Sequence, residues 1–410
     1  MTQHSEQSRD LSLVARNYLL PFILVTSLFF LWGGARSILD VLNKHYQSIM
    51  NVSKMQSSLI QMVVYLAYFL GALPAGMLIK RLGTRLGVVT GLLLFALGSF
   101  LFMPAVALAN FYYILFPLFV LGCGLVLLET AVNPYVTLLG SPHTSAGRLN
   151  IAQSFNGLGC MMGVLLSGQF FFGSGSESGG WEASIAVPYT VIAVIMLVVA
   201  VCFMMVKLPD VHLSPTPNRQ QKSMKMGFPF VFGLLALVAY EISEISINTF
   251  FINFMTDDNF MSVMQASEAL SLGALLLFMV GRAVGGLLMG RIGTECIFLT
   301  CAVGAVVMML IAMNGVGLIS KMALIVVYVF ESIMFPTIFA LAIRGLGDKT
   351  ELASSILMMS VVGGAIGPFA MGYMGDHYSM NVALVVPLST FVVVLAYAFY
   401  CHYHSYSPQS

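Results

Sequence analysis

Residues 76–84 read GMLIKRLGT, and residues 286–294, 210 positions later, read GLLMGRIGT. Each copy is an apolar run that ends in an arginine, an aliphatic residue, a glycine and a threonine: Arg81-Leu82-Gly83-Thr84 and Arg291-Ile292-Gly293-Thr294. A second pair follows at nearly the same spacing. ETAVNP at 129–134 returns in outline as ESIMFP at 331–336, 202 positions on. Two matches at nearly one offset point to a duplicated unit. Between the copies, residues 208–226 break the apolar rhythm with Pro209, Pro215, Pro217, Arg219, Lys222 and Lys225. We read 207–227 as a linker joining two halves, 18–206 and 228–402, with short tails at 1–17 and 403–410.

The composition says what those halves are made of. Of 410 residues, 59% are hydrophobic and 9% are charged, whereas a soluble domain carries roughly a quarter charged residues on its surface. Most of this surface must therefore face lipid. A net charge of +1 excludes a nucleic-acid binder, which needs a basic patch. The six cysteines, Cys123, Cys160, Cys202, Cys296, Cys301 and Cys401, all fall in apolar stretches. They have neither zinc spacing nor a disulfide framework, and read as small hydrophobes in helices. The sequence calls for no metal and no bound cofactor.

A bilayer core takes about 20 mostly apolar residues per helix. Such runs lie near 18–42, 57–79, 86–108, 111–140, 149–172, 185–206, 228–255, 264–290, 296–316, 321–343, 352–375 and 380–402. The expected fold class is an all-α membrane protein of twelve spans in two pseudo-symmetric six-helix bundles. The first run follows a polar leader with Arg9 and Arg16 and is too long for a signal-peptide core, so it reads as an uncleaved helix. With the N-terminus inside, thirteen Lys and Arg fall in cytoplasmic segments and only Lys44, Lys54 and Lys321 in outer loops. That asymmetry places both termini in the cytoplasm.

Enzymes and pumps fit poorly. There is no Gly-x-x-x-x-Gly-Lys-Ser/Thr loop and no soluble segment to house a nucleotide domain. Asp348-Lys349-Thr350 starts like a phosphorylated-aspartate motif but lacks its continuation. Neither His-Glu-x-x-His nor a pair of membrane aspartates appears, and the seven histidines are expected in loops or near helix ends. Two duplicated halves with buried carboxylates suit an alternating-access carrier better than a channel.

The informative residues are the ionisable ones within spans: Arg36, Asp40, Glu129, Glu241, Glu244, Arg282 and Glu331. A charge at mid-bilayer costs at least about 2.5–3.5 kcal/mol, so it usually lines a cavity or has a partner. Arg282 and Arg291, close to a cytoplasmic helix end, read as structural. Arg36 and Asp40 are i and i+4 and can pair with each other. Glu241, Glu244 and Asn248 form an i, i+3, i+7 stripe on the seventh helix. Asn150, Gln153 and Asn156 recur on the fifth, as interhelical glue or as ligands. Together they describe a polar cavity suited to a polyhydroxylated neutral solute. A carboxyl that loads a proton on one side and releases it on the other supplies a driving force. One charge moved through 100 mV is worth about 2.3 kcal/mol, roughly fifty-fold accumulation. Sodium coupling stays open on carboxylates alone.

These motifs also resemble a known family. Residues 76–85 resemble the loop between helices two and three of the major facilitator superfamily, with Lys80 where an acidic residue is usual and Thr84 in place of an arginine. LFFLWG at 28–33 with Asp40, LETAVNP at 128–134, RLNIAQSFN at 148–156 and FPTIF at 335–339 resemble the fucose–galactose–glucose:proton symporter family. The resemblance implies import of a monosaccharide with a proton, no enzymatic activity, a bacterial inner-membrane location and a monomer. It implies that Glu129 carries the proton and that Asp40 couples protonation to sugar recognition; the internal repeat, not the resemblance, makes Glu331 a second candidate. Arg36, Asp40, Asn133, Gln153, Asn156, Glu241, Glu244 and Asn248 are the candidate substrate contacts, and Trp32 would stack on a sugar ring or simply pack. The chain departs from the family at Leu39, where Asn is usual, at Arg36, and at the additional acids Glu241 and Glu331. Those acids would favour an amino sugar or another cationic solute, and an exporter exchanging cations against protons is the alternative. A transport-inactive sensor has little tail or linker to signal through.

Overall fold

The structure, a computed structural model, describes residues 14, 18–139, 145–173, 180–206, 226–257, 259–344, 346 and 349–405. The linker expected at 207–227, apart from its last two residues, and the N-terminal tail, apart from residue 14, lie outside the described residues, as do Asp348 and the end of the C-terminal tail. Within them the chain is helical throughout: α1 (Leu19–Met50), α2 (Lys54–Ser57), α3 (Leu59–Ala107), α4 (Leu115–Leu138), α5 (Ser145–Phe172) and α6 (Gly180–Met205) make the first half. The second half is α7 (Phe228–Thr256), α8 (Val263–Glu268), α9 (Leu276–Ile292), α10 (Thr294–Asn314), α11 (Leu318–Glu331), α12 (Met334–Ile343), α13 (Thr350–Met358), α14 (Gly363–His377), α15 (Met380–Ala383) and α16 (Val385–Ser405). A π-helical turn, Ala269–Leu275, joins α8 to α9, and a 3-10 turn, Met359–Val362, joins α13 to α14.

Among the described residues, eleven stretches are long and apolar enough to cross a membrane. One of them, Lys54–Ala107, has 54 residues. At about 1.5 Å per residue that is more than twice the roughly 30 Å hydrocarbon core. It is broken at Gly83, whose φ of 81° and ψ of 163° are not helical, so it holds two crossings. The equivalent position of the second repeat, Gly293, has φ 105° and ψ 141° and separates α9 from α10. Both glycines have open space where a Cβ would stand. Backbone conformation alone, in a region that side chains rarely enter, demands glycine there. The duplication read from 76–84 and 286–294 is thus a duplication of the same reversal between helices.

The helices of each half pack on one another, and one buried apolar core runs through both halves. In the first, α1 lies against α5, and α3 against α4 and α6; in the second, α7 lies against α12, α14 and α16, and α10 against α11 and α16. The close approaches use small residues, as lipid-embedded helices must, because burial from lipid gives no hydrophobic gain. A Cβ on Gly33 would stand 2.4 Å from the Asn156 carbonyl oxygen, and one on Gly159 would overlap the Phe30 carbonyl. Gly98 and Gly124 do the same for α3 against α4. At the helix reversal, the Nε of Arg85 donates to the Phe203 carbonyl at 3.1 Å, and its guanidinium also reaches that of Met204. It thereby satisfies carbonyls that the end of α6 leaves unpaired.

The structure corrects two expectations. α1 runs to Met50 rather than stopping near 42. Its last turns carry Asn43, His45 and Gln47, whose side chains are used inside the protein. His45 is buried, stacks on Phe171 at 4.8 Å and shares a 3.1 Å hydrogen bond with Ser184. It lies near the end of α1, in keeping with histidines expected in loops or near helix ends. Lys321, expected in an outer loop, is buried in α11 and donates to the Phe254 carbonyl while its ammonium lies 4.1 Å from the centroid of the Phe254 ring.

A cluster of hydrogen bonds joins the two halves at the end of the molecule that carries Lys54. Asn43 Nδ2 donates to the Thr249 carbonyl at 2.9 Å, and Asn253 Nδ2 to Gln47 Oε1 at 2.5 Å. Asp376 accepts the backbone N–H groups of Lys54 and Met55, each at 2.8 Å, and Lys54 Nζ donates to the Gly375 carbonyl at 3.1 Å. Nearer the middle, Ser271 Oγ donates to the Met161 carbonyl at 2.8 Å. This end is shut.

Gly83→Ala should lower stability by about 1–3 kcal/mol, the range for a strained backbone conformation. Gly76→Ala, with nothing within 4 Å of its Cβ, should be neutral; thermal unfolding in detergent compares the two. Asp376→Ala should loosen the shut end. The measure is faster thiol labelling of a cysteine placed at Asn253, which is 2% exposed, relative to the same cysteine in the parent.

Candidate functional site

The sequence-derived residues come from five helices, and the structure sorts them by access. Arg36 and Asp40 on α1, Glu129 and Asn133 on α4, Gln153 and Asn156 on α5, and Glu244 and Asn248 on α7 are all half-buried. Trp32, Glu241 and Glu331 are buried, at 3%, 4% and 0% exposure. Asn150 lies on α5, its side chain outside what the structure describes. Trp32 packs on Phe29, ring centroids 4.2 Å apart.

Arg36 and Asp40 do not pair with each other. Arg36 instead donates Nε and Nη2 to the Tyr65 hydroxyl, at 3.1 and 2.5 Å, with its guanidinium carbon 5.3 Å from the ring centroid. Asp40 accepts from Gln61 Nε2 at 2.8 Å. Glu129 accepts from the Tyr68 hydroxyl at 2.8 Å. Arg36, Asp40 and Glu129 therefore each meet a neutral partner from one stripe of α3, Gln61-Tyr65-Tyr68, at i, i+4 and i+7. That stripe was missed by a reading that scanned for formal charge. Its helical period and polar tips were the available signal.

Arg36 lies within electrostatic reach of Glu129, Asp40 and Glu244, and Glu241 within that of Glu244 and Glu129. Asp40 and Glu129 of the first half and Glu241 and Glu244 of the second thus all lie within reach of the one guanidinium of Arg36. The stripe on α7 divides. Glu241 turns inward against α14, where a Cβ on Gly363 would stand 2.9 Å from its own Cβ, and its Oε2 has no hydrogen-bond partner. Asn248 accepts from the Tyr328 hydroxyl at 2.7 Å. On α5, Asn156 Nδ2 donates to the Phe29 carbonyl at 3.1 Å, tying α5 to α1. Asn133 presents a buried Oδ1 with no partner, an acceptor available to a hydroxyl. The site is rich in acceptors and phenols, and two of its carboxylates, Asp40 and Glu129, are held by neutral donors that remain in place whether the acid is charged or neutral. Such a set can bind hydroxyl groups and exchange protons without breaking an ion pair.

The Major Facilitator Superfamily model matches residues 24–361. The chain belongs to this superfamily. A glucose/galactose transporter of Brucella abortus is 32% identical over 403 residues, covering 96% of each chain. The L-fucose-proton symporter of Escherichia coli is 31% identical over 410 residues, covering 94% of this chain and 93% of that one. The crystal structure of the superfamily transporter FucP in the outward conformation is 30% identical and superposes with a TM-score of 0.69 over 94% of this chain and 99% of that one. The superfamily fold expected from the sequence, and the all-helical membrane architecture with it, are thereby established.

A hydrogen bond to a charged group contributes about 1.5–3 kcal/mol. Tyr68→Phe and Gln61→Leu should each slow solute transport by roughly ten-fold or more, with detergent melting temperatures within a few degrees of the parent. Initial uptake rates and thermal unfolding on the same preparations test both parts.

Proposed function

We infer that this chain is a proton-coupled monosaccharide symporter working by alternating access. The observation that carries the reading is the likeness, over nearly the whole chain, to two named sugar carriers, one of them a proton symporter. It is a transporter and not an enzyme. In the proposed cycle Glu129 binds the proton, held by Tyr68 in both protonation states. Asp40, one helical turn from Arg36 and bonded to Gln61, couples its own protonation to sugar contact. Asn133, Gln153, Asn156, Glu244 and Asn248 line the sugar's path, and Arg36 balances whichever acid is ionised. Trp32 acts by packing. The proton, rather than sodium, is the coupling ion in this reading, because Asp40 and Glu129 each meet one neutral donor rather than the several oxygen ligands a metal ion takes.

The protein is placed in a bacterial inner membrane with both termini cytoplasmic, working as a monomer. The shut end with Lys54 and Asp376 is then the external one, and the structure is the state closed to the outside. Glu241 and Glu331, the acids that would draw a cationic solute, are buried. That burial favours a neutral sugar over an amino sugar, and an importer over a cation exporter.

The test is uptake of L-fucose, D-galactose, D-glucose and D-glucosamine into proteoliposomes with an inward proton gradient, in potassium and again in sodium buffer. Accumulation of one neutral sugar, abolished by a protonophore and indifferent to sodium, is the expected result. Glu129→Gln should lose accumulation while keeping sugar exchange between the two sides. Accumulation only of D-glucosamine would replace the neutral-sugar reading, and uptake independent of the gradient would remove proton coupling.

A further inference from the structure

The span formed by α11 and α12 breaks directly after Glu331. Pro336 has no N–H to return to the carbonyl four residues earlier, which is that of Ser332. α11 accordingly ends at Glu331, and α12 resumes at Met334. The freed Ser332 carbonyl accepts the Nε of Arg282 at 2.9 Å, and the guanidinium carbon lies 4.6 Å from the centroid of the Phe278 ring. Arg282 is therefore spent on a backbone carbonyl and an aromatic face. Glu331 has no share in this arrangement. Its side chain is fully buried, and neither Oε1 nor Oε2 has a hydrogen-bond partner.

An ionised carboxylate in that position would be an uncompensated charge in a medium that does not solvate it. The charged and titratable groups that face it are Glu244 and Tyr240 on α7, Arg282 on α9 and Tyr328 one turn back on α11. Glu244 opposes a second negative charge, the two phenols are neutral, and Arg282 is near enough to be felt but is engaged elsewhere. In the first half Glu129 stands five residues before Pro134, as Glu331 stands five before Pro336. Glu129 has Tyr68 as a donor; Glu331 has none.

We propose that Glu331 is a second proton-binding site of this carrier, and that Arg282 receives its charge when the proton leaves. In the conformation described here Glu331 is the neutral acid. On the return step its O–H bond breaks, the proton passes to water at the open end, and the carboxylate takes N–H groups of Arg282 that now face the Ser332 carbonyl and Phe278. Proton binding at Glu331 stands independently of the substrate. Only the use of that proton in transport rests on the symport reading above.

The first arm is infrared difference spectroscopy of the purified full chain in detergent, following the carboxylic-acid C=O stretch at neutral pH. The expected result is a band of a buried protonated carboxyl that is lost in Glu331→Gln and retained in Glu129→Gln. Glu331→Asp, which keeps a carboxyl, should move the band rather than abolish it, and it serves where the Gln variant does not fold. A spectrum unchanged in both Glu331 variants overturns the proposal. The second arm measures protons per sugar from the reversal potential in proteoliposomes, with L-fucose, D-galactose and D-glucose as probes. Glu331→Gln should carry one proton fewer per sugar than the parent, and an unchanged ratio overturns the transport role. If no probe is taken up by the parent, the symport reading fails, and the infrared arm still decides whether Glu331 holds a proton.

Discussion

A charge inside hydrocarbon must be answered by the protein itself, and that requirement organises this structure more than any other. Isolated, each of the ionisable side chains in the spans would cost at least about 2.5–3.5 kcal/mol. The simplest answer, mutual ion pairing, is not the one used at α1. Arg36 and Asp40 are correctly spaced to pair, yet each is bonded to a neutral residue of α3. A pair would be stable and inert, since removing either charge would strand the other. A carboxylate held by Gln61 or a phenol keeps a partner whether or not it is protonated. The arrangement keeps the acids free to change charge, which is what a carrier driven by protons has to do.

The same requirement governs the backbone. Carbonyls released from helices in the membrane need donors, because no water is there to supply them. The Arg282–Ser332 bond answers a carbonyl freed by Pro336, and Arg85 answers the end of α6. Arg282, which reads in the sequence as structural, is therefore structural in a specific sense, and Arg85 with it: they complete helices that a proline and a helix end leave incomplete. The exception is informative. Arg282 completes the backbone at the expense of the nearest acid, so that Glu331 is sealed without a partner. Two demands compete for one cation, and which of them is met depends on the proton.

How far this was legible in the sequence follows from what each signal measures. The duplication was legible because it rests on Gly83 and Gly293, and a backbone with φ of 81° or 105° leaves few alternatives to glycine. The spans were legible from apolar length, except at the end of α1. There Asn43, His45 and Gln47 lower the apolar content, and a count of apolar residues stops too soon. Those side chains are satisfied by distant helices, Asn43 and Gln47 by α7 of the other half and His45 by α5 and α6, a fact about tertiary contact that no local window contains. The acids were legible as exceptions in an apolar background, but their partners were not. Gln61, Tyr65 and Tyr68 are unexceptional in composition and become significant only once α3 is known to face α1 and α4. Spacing placed Glu241 and Glu244 on one face of α7. It could not say that the close approach of Gly363 would bury the first and leave the second half-exposed.

The duplicated halves are alike in backbone and unlike in chemistry, and the difference bears on how alternating access is driven. Each half has an acid five residues before a proline on its fourth helix, so each has a flexible point next to a titratable group. In the first half that acid is half-exposed, bonded to Tyr68 and in the field of Arg36, and so in contact with whatever occupies the site. In the second half it is sealed, and its cation is tied to the break in the helix itself. In the proposed cycle a proton on Glu129 is felt beside Arg36, whereas a proton on Glu331 is felt by the junction of α11 and α12. Meanwhile the end holding Lys54 and Asp376 is closed by bonds to neutral amides and backbone groups, which do not respond to protons in the site. Opening that end therefore has to be driven from the middle of the bundle, through helices that change shape. The break beside Glu331 is one place where a change of charge can become a change of helix geometry.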